Sequence, residues 1–293
     1  MDSEKNNDLN YDDFDTVVES KNSLFDIDVK EIWKYRDLML LFVKRNFISQ
    51  YKQTVLGPAW AVIQPLLTTV VFTVFFGNVA GLAPGGVNSF VYYLCGTIFW
   101  QYFSSSLTMV STTFTANSSI FGKVYFPRLV LPISTVMTNL ISLGIQFVFF
   151  LVAWVIFLFI PGYQMSPNWM IAVIPLVLVQ LALLALGFGI IISALTTKYR
   201  DLAMLVGFGA QLWMYASPVA YPASMFNGGT LEKLYWCNPI CPIIEMLRYA
   251  FLGENVASFK PEFWGISWIT TIIILVIGVM LFNKVEKTFM DTV

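Results

Sequence analysis

The chain has 293 residues, 57% of them hydrophobic and 12% charged, with a mean hydropathy of +0.69. A soluble domain carries about 25% charged residues, so this composition excludes a soluble globular protein and points to one membrane domain. The formal charge of −1 conceals an asymmetry: residues 1–28 hold nine acids and two lysines, while the other 265 hold fifteen Lys or Arg against nine acids.

Residues 1–28 are poor in apolar side chains and are expected to form an acidic, disordered cytoplasmic tail. Met1 to Asn10 is polar and acidic, where a secretory signal would be basic and then apolar. An amphipathic helix is predicted over 31–48. Ile32, Tyr35, Met39 and Phe42 share one face, and Glu31, Lys34, Asp37, Lys44 and Arg45 populate the other. Such a helix is expected to lie in the headgroup plane. A docking surface for a cytoplasmic partner and a plain interfacial anchor both fit its periodicity.

A basic run, Lys44, Arg45 and Lys52, then leads through Leu56-Gly57-Pro58 into apolar sequence. Six segments reach the length of about 20 apolar residues that a membrane helix needs: 59–76, 90–110, 129–160, 169–195, 202–219 and 263–282. The third exceeds what a bilayer requires, so it is expected to tilt, bend near Pro132 or protrude. Between the fifth and sixth, residues 231–253 are apolar but broken by Pro239 and Pro242, and they carry Glu232, Lys233, Glu245 and Arg248. Two short helices that enter the outer leaflet and return fit this pattern, provided protein buries their ends. Asn238-Pro239 reads as a turn or helix start. Glu245 and Arg248, three residues apart, are placed to pair across one helical turn.

With both termini in the cytoplasm, twelve Lys or Arg fall on the inner side and three (Lys233, Arg248, Lys260) on the outer side, as the positive-inside rule requires. Two inner clusters join the basic run: Phe121 to Arg128 between spans two and three, and Lys198-Tyr199-Arg200-Asp201 between spans four and five. Most of these lysines are the ordinary basic edge of a membrane protein. Arginine grips phosphate bidentately, so Arg45, Arg128 and Arg200, with Lys52 beside the first, are candidates for an anionic lipid phosphate or a partner's carboxylate.

Other chemistry is missing from the sequence. It contains no G-x-x-x-x-G-K-[ST] phosphate loop, no histidine, and no carboxylate clearly inside a span that would carry a proton relay. A metal site would want more N or S ligands than the three cysteines provide. Cys237 and Cys241, at helical spacing, suit small apolar packing, with a disulfide open to them in an oxidising compartment. Aromatics make up 16% of the chain. Most fall near span ends, where aromatic belts form, and Tyr92, Tyr93, Trp213 and Tyr215 are placed to line a path instead.

Several landmarks recur in a set order: Arg45-Asn46 with Tyr51, then Leu56-Gly57 with Trp60 and Pro65, then Phe126-Pro127-Arg128 with Pro132, then Tyr199-Arg200-Asp201. Ser217-Pro218 with Tyr221-Pro222, and Asn238-Pro239 with Arg248, complete the set. From Ile32 to Phe282 the chain resembles the membrane subunit of polysaccharide ABC exporters, the type-2 permeases of O-antigen, capsule and teichoic acid export.

That resemblance implies an all-α integral membrane fold with six transmembrane helices, an N-terminal interface helix and a re-entrant hairpin before the last span. It implies a homodimer bound to two copies of a separate nucleotide-binding subunit, which would carry ATP and Mg, leaving this chain without cofactor or catalysis of its own. It also implies a polyprenyl-diphosphate-linked glycan as cargo, membrane lipids but no nucleic acid as partners, and a bacterial plasma membrane location, the inner membrane if the host is Gram-negative. The coupling surface would be Lys34 and Asp37 on the interface helix, with Phe121, Lys123 and Tyr125 on a second helix over 113–125. Trp60, Phe72, Phe75, Trp213 and Tyr215 would line the channel, and Asn238, Pro239, Glu245 and Arg248 would shape the hairpin. A permease for lipids or drugs and, further off, a membrane glycosyltransferase are the competing readings.

Overall fold

The computed structural model describes residues 29–289 except 118–119, 121–125, 198, 200 and 227. The predicted acidic tail, residues 1–28, lies outside the described residues. Among the described residues every element is helical and there is no strand. A helix satisfies its backbone polar groups internally, which a lipid environment demands.

Four helical stretches are long and apolar enough to cross a membrane: Gly57–Val79, Val130–Leu158, Trp169–Thr196 and Pro261–Val285. They coincide with the first, third, fourth and sixth predicted segments. The first holds α3 (Trp60–Phe72), preceded by a 3-10 turn and continued by π-helical turns over Thr73–Val79.

The second predicted segment is α4 (Ser89–Ser111). It is long enough to cross but less apolar than the four. It packs against α3, against α6 (Val130–Leu158) and α7 (Ile174–Thr196), and against α8 (Leu202–Tyr215) and α10 (Ile240–Leu252). Most of α4 is buried, and several polar groups along it find partners on neighbouring helices. Thr97 meets Thr69 at 2.7 Å, Ser106 accepts from Asn139 Nδ2 at 3.2 Å, and the Ser111 carbonyl accepts from Thr196 at 2.8 Å.

The fifth segment, α8, stops at Tyr215 rather than continuing to 219, because Ser217-Pro218 turns the chain. Only Val206 and Ala210 of α8 are buried, while Met204, Leu205, Phe208 and Leu212 are exposed. Residues 231–253 form two short helices, α9 (Thr230–Trp236) and α10. All of α10 except Tyr249 is buried, against α4, α7 and α11 (Pro261–Phe289).

The predicted interface helix differs in one way. It breaks at Tyr35 into α1 (Val29–Lys34) and α2 (Arg36–Tyr51), with α5 (Thr113–Ala116) elsewhere on the chain. Helix α2 packs along α6. The Phe42 ring rests 5.8 Å from Phe126, and the Tyr51 hydroxyl reaches Ser142 at 3.1 Å, some 18 Å along α6. The expected apolar face turns inward, with Tyr35, Met39 and Phe42 packed on protein. Trp33, Leu40 and Leu41 are exposed on the other side, beside the charged residues.

The close contact between α7 and α11 rests on glycine. A Cβ on Gly278 of α11 would lie 2.8 Å from the Gly187 carbonyl oxygen of α7 and 2.7 Å from Ile190 Cγ1. Close approach of this kind replaces the hydrophobic drive that lipid removes. Gly278→Val is expected to cost about 1–3 kcal/mol by overpacking. Thermal melting of the solubilised protein should show a clear drop, while Gly265→Ala, which meets no atom within 4 Å, should leave it unchanged.

Candidate transport path

Helices α3 and α8 both pack on α4 and leave a groove whose floor is α4. Its outer part is a cavity of about 440 Å³. Helix α3 contributes Gln64 and Thr68, α4 contributes Gln101 and Ser104, and α8 contributes Gln211 and Tyr215. The inner part is a cavity of about 270 Å³, where Trp60 and Gln64 face Gln101 and Ser105 of α4 and Asn139, Ser142 and Gln146 of α6. Gln50, Tyr51 and Thr54, at the end of α2 and just beyond it, close the rim. Gln64 and Gln101 belong to both cavities and join them into one trough.

Among the described residues, no Asp, Glu, Lys or Arg lines either cavity. The polar side chains are amides and hydroxyls, with indole and phenol rings among them. Such a surface offers donors and acceptors to a neutral hydroxylated molecule but has no counter-charge for an ion.

The predicted wall residues divide. Trp60 lines the inner cavity and Tyr215 the outer. Phe72 reaches the outer cavity at its edge, but is buried against Phe76 and Tyr93 with ring centroids at 5.2 and 6.1 Å. Phe75 is exposed and lines neither cavity. Trp213 turns away from the trough. Its ring packs at 5.1 Å on Phe188 and 5.3 Å on Phe103, and its Nε1 donates to Asn238. A Trp with a buried N–H needs an acceptor, and Asn238 supplies one.

Asn238 uses its whole amide. Its oxygen accepts from Trp213 Nε1 and the Ile240 N–H, and its nitrogen donates to the Ala216 carbonyl and Ser217 Oγ. The Asn238-Pro239 turn thus ties the end of α8 to the start of α10, and Ser267 Oγ of α11 donates to the Pro239 carbonyl.

Farther along α10, the Glu245–Arg248 pair has more partners than its spacing foretells. Arg248 is fully buried; it donates to Tyr92 Oη at 2.8 Å, Glu245 Oε1 at 3.3 Å and the Val219 carbonyl at 3.0 Å. Its guanidinium carbon lies 3.8 Å from the centre of the Tyr92 ring. A Cβ at position 96 would sit 2.7 Å from Arg248 Nη2, so Gly96 makes room for the fork. Lys260 pairs with Glu232 at the start of the same region and stands over the Trp236 ring.

Of the predicted phosphate-binding cations, Arg45 is exposed; its guanidinium covers the Phe42 ring at 4.8 Å and donates to Asn46 Oδ1. Lys52 is exposed just beyond α2, next to the cavity rim. Arg128 is buried in the turn before α6. Lys34 and Asp37 are exposed. Arg200, Phe121, Lys123 and Tyr125 lie outside the described residues, and so does most of the predicted second coupling helix beyond α5. Cys237 and Cys241 are free thiols; Cys241 packs with Trp236 and Ala223 in a small apolar cluster, as the packing reading expects, whereas Cys237 is exposed.

The residues that sequence reasoning missed are the amides Gln64, Gln101, Asn139, Gln146 and Gln211. A signal was available: each interrupts an apolar segment, where a polar side chain turns toward protein or a wet cavity.

The sequence is similar to those of known proteins. The ABC-2 type transporter family profile matches residues 37–252. An O-antigen export system permease protein RfbA from Klebsiella pneumoniae is 31% identical over 258 residues, covering 87% of this chain and 94% of that protein. A protein of the same name from Myxococcus xanthus is 26% identical over 235 residues, covering 80% and 87%. The inner membrane transport permease YadH of Escherichia coli K12 is 26% identical over 219 residues, covering 69% and 79%. This chain belongs to the ABC-2 type transporter family.

Proposed function

We propose that this chain is the membrane subunit of an ATP-driven exporter that carries a lipid-linked polysaccharide from the cytoplasm across the plasma membrane. The observation that carries the reading is the trough: two joined cavities lined by amides, hydroxyls and aromatic rings, with no charged side chain among the described residues. A glycan chain presents hydroxyls and apolar ring faces, which these groups match. The names of the O-antigen export relatives support the same cargo.

In this reading the chain crosses the membrane six times, through the four apolar stretches, α4 and α8, with both termini in the cytoplasm. Helices α9 and α10 form a re-entrant hairpin on the outer side. Two copies assemble through the exposed apolar faces of α3 and α8, so that their troughs face one shared path. The exposed side of α1 and α2, with Trp33, Lys34, Asp37, Leu40 and Leu41, docks one of two ATPase subunits. Those subunits bind ATP and Mg, and this chain does no catalysis. Arg45 and Lys52 meet the diphosphate of a polyprenyl carrier.

The test is deletion of the gene. Lipid-linked polymer is expected to accumulate inside the cell while surface polysaccharide disappears. Copies purified in detergent are expected to bring a soluble ATPase with them. Normal surface polysaccharide in the deletion strain would overturn the reading in favour of a lipid or drug cargo. Arg45→Ala is expected to lower surface polysaccharide several-fold with insertion intact, measured by immunoblot against membrane-fraction protein.

A further inference from the structure

We propose that α3 carries a hinge at Pro65, and that Gln146 of α6 is the positioning residue that holds it. The hinge gives the trough a moving wall, and its use in transport rests on the export reading above.

Pro65 lies inside α3. A proline has no N–H, so the carbonyl four residues back, that of Ala61, loses the partner a helix would give it. In a membrane a neighbouring helix has to answer such a carbonyl, because lipid offers no donor. Gln146 answers it: the side chain is buried, and its Nε2 donates to the Ala61 carbonyl at 2.8 Å. This bond accounts for an amide in the middle of an apolar helix, 85 positions away in the chain.

The turns beyond Pro65 are weakened as well. The hydroxyls of Thr68, Thr69 and Thr73 donate to the carbonyls of Gln64, Pro65 and Thr69 at 3.2, 2.7 and 2.8 Å. Back-bonding of this kind slightly destabilises a helix and often bends it. Over Thr73–Val79 the α-helix then gives way to π-helical turns, a feature frequent at functional sites.

The two halves of α3 are anchored to different helices. Gln146 ties the inner half to α6. The outer half meets α4, through Thr69 against Thr97 at 2.7 Å and Phe72 against Tyr93. Gln64, where the two cavities join, stands next to Pro65. Trp60 and Ala61, before the hinge, line the inner cavity; Leu67, Thr68 and Val71, beyond it, line the outer one. A bend at Pro65 therefore moves the wall of the outer cavity while the Gln146 bond keeps the inner wall in place.

The experiment is a double-mutant cycle on the full chain. Gln146→Met roughly keeps the volume and removes the donor. Pro65→Ala restores an N–H that can take the Ala61 carbonyl, so that Gln146 is no longer needed. In detergent, Gln146→Met is expected to lower the melting temperature by about 1–4 °C, and to change it far less when Pro65→Ala is present. The cycle isolates the coupling between the two positions. An equal drop in both backgrounds means that Gln146 acts by packing alone, and overturns its role at the hinge.

Motion is read in lipid vesicles from a reporter cysteine, Thr68→Cys, in a Cys237→Ser chain whose two remaining cysteines are buried. Its labelling rate with a membrane-impermeant methanethiosulfonate should rise about threefold with Gln146→Met, the factor that one interhelical hydrogen bond is worth. It should fall with Pro65→Ala. A rate unchanged by Gln146→Met overturns the hinge, and that arm decides even where Pro65→Ala fails to insert. In cells, Pro65→Ala should lower surface polysaccharide several-fold at an equal amount of chain in the membrane; normal export overturns the hinge's part in transport. A wild-type chain that exports no glycan overturns the export reading instead, and melting and labelling still decide the hinge.

Discussion

Arg248→Leu is expected to cost about 3–5 kcal/mol, the penalty for breaking a buried pair from one side. The substitution leaves Glu245, 2% exposed, as a carboxylate without its cation. It also takes a donor from Tyr92 Oη and from the Val219 carbonyl. Helix α10 would lose its polar anchor to α4, and folded protein in the membrane fraction should fall sharply. Removing both charges is expected to be milder: Arg248→Leu with Glu245→Leu should recover much of the loss, because no isolated charge remains. Arg248→Lys should rescue little, since an ammonium cannot reproduce a planar fork that reaches three acceptors at once. Thermal unfolding of the solubilised variants orders the series. A double variant no better than Arg248→Leu alone would show that the guanidinium matters through packing on Tyr92, not through charge.

Gln101→Lys is expected to reduce surface polysaccharide by a factor of ten or more while the chain still inserts and binds its partners. Gln101 lies where the two cavities join and donates to Ser105 Oγ at 3.1 Å. A charge at the centre of a membrane helix costs about 2.5–3.5 kcal/mol on insertion scales, and in the trough it would have no counter-charge. The added ammonium would also hold water and any passing phosphate in a path lined for neutral groups. Gln101→Asn, which keeps the amide, should leave export near normal. The readout is surface polysaccharide by immunoblot, normalised to chain in the membrane. Unchanged export in Gln101→Lys would mean that the cargo does not pass between α3, α4 and α8.

Much of this architecture was legible in the residues. The apolar stretches appear where hydropathy put them, α4 begins one residue before its predicted start, and Pro239 divides the outer segment into α9 and α10 as expected. The inward face of α2 was readable from Ile32, Tyr35, Met39 and Phe42, whereas its path along α6 was not, because periodicity shows that a face is buried without showing by what. Trp213 illustrates the same limit. It was assigned to a wall for its ring and its place on the fifth segment, and it turned inward because Asn238, 25 residues later, holds its N–H.

What the sequence by itself determined was the solvent of this protein: a membrane, through composition, the lengths of the apolar stretches and the scarcity of charge between residues 57 and 120. Tertiary structure alone decided which side of each helix meets lipid, which meets protein and which meets the trough. The physical reason is that lipid tails are as apolar as a protein core. A soluble helix shows its buried face by contrast with its wet one, but a membrane helix can be apolar all round. Contacts over long separations therefore carried the decisive information, as when Arg248 meets Tyr92 across 156 positions of the chain. The amides of the trough came together in the same way, from α3, α4, α6 and α8, as scattered interruptions that became one surface only when the helices packed.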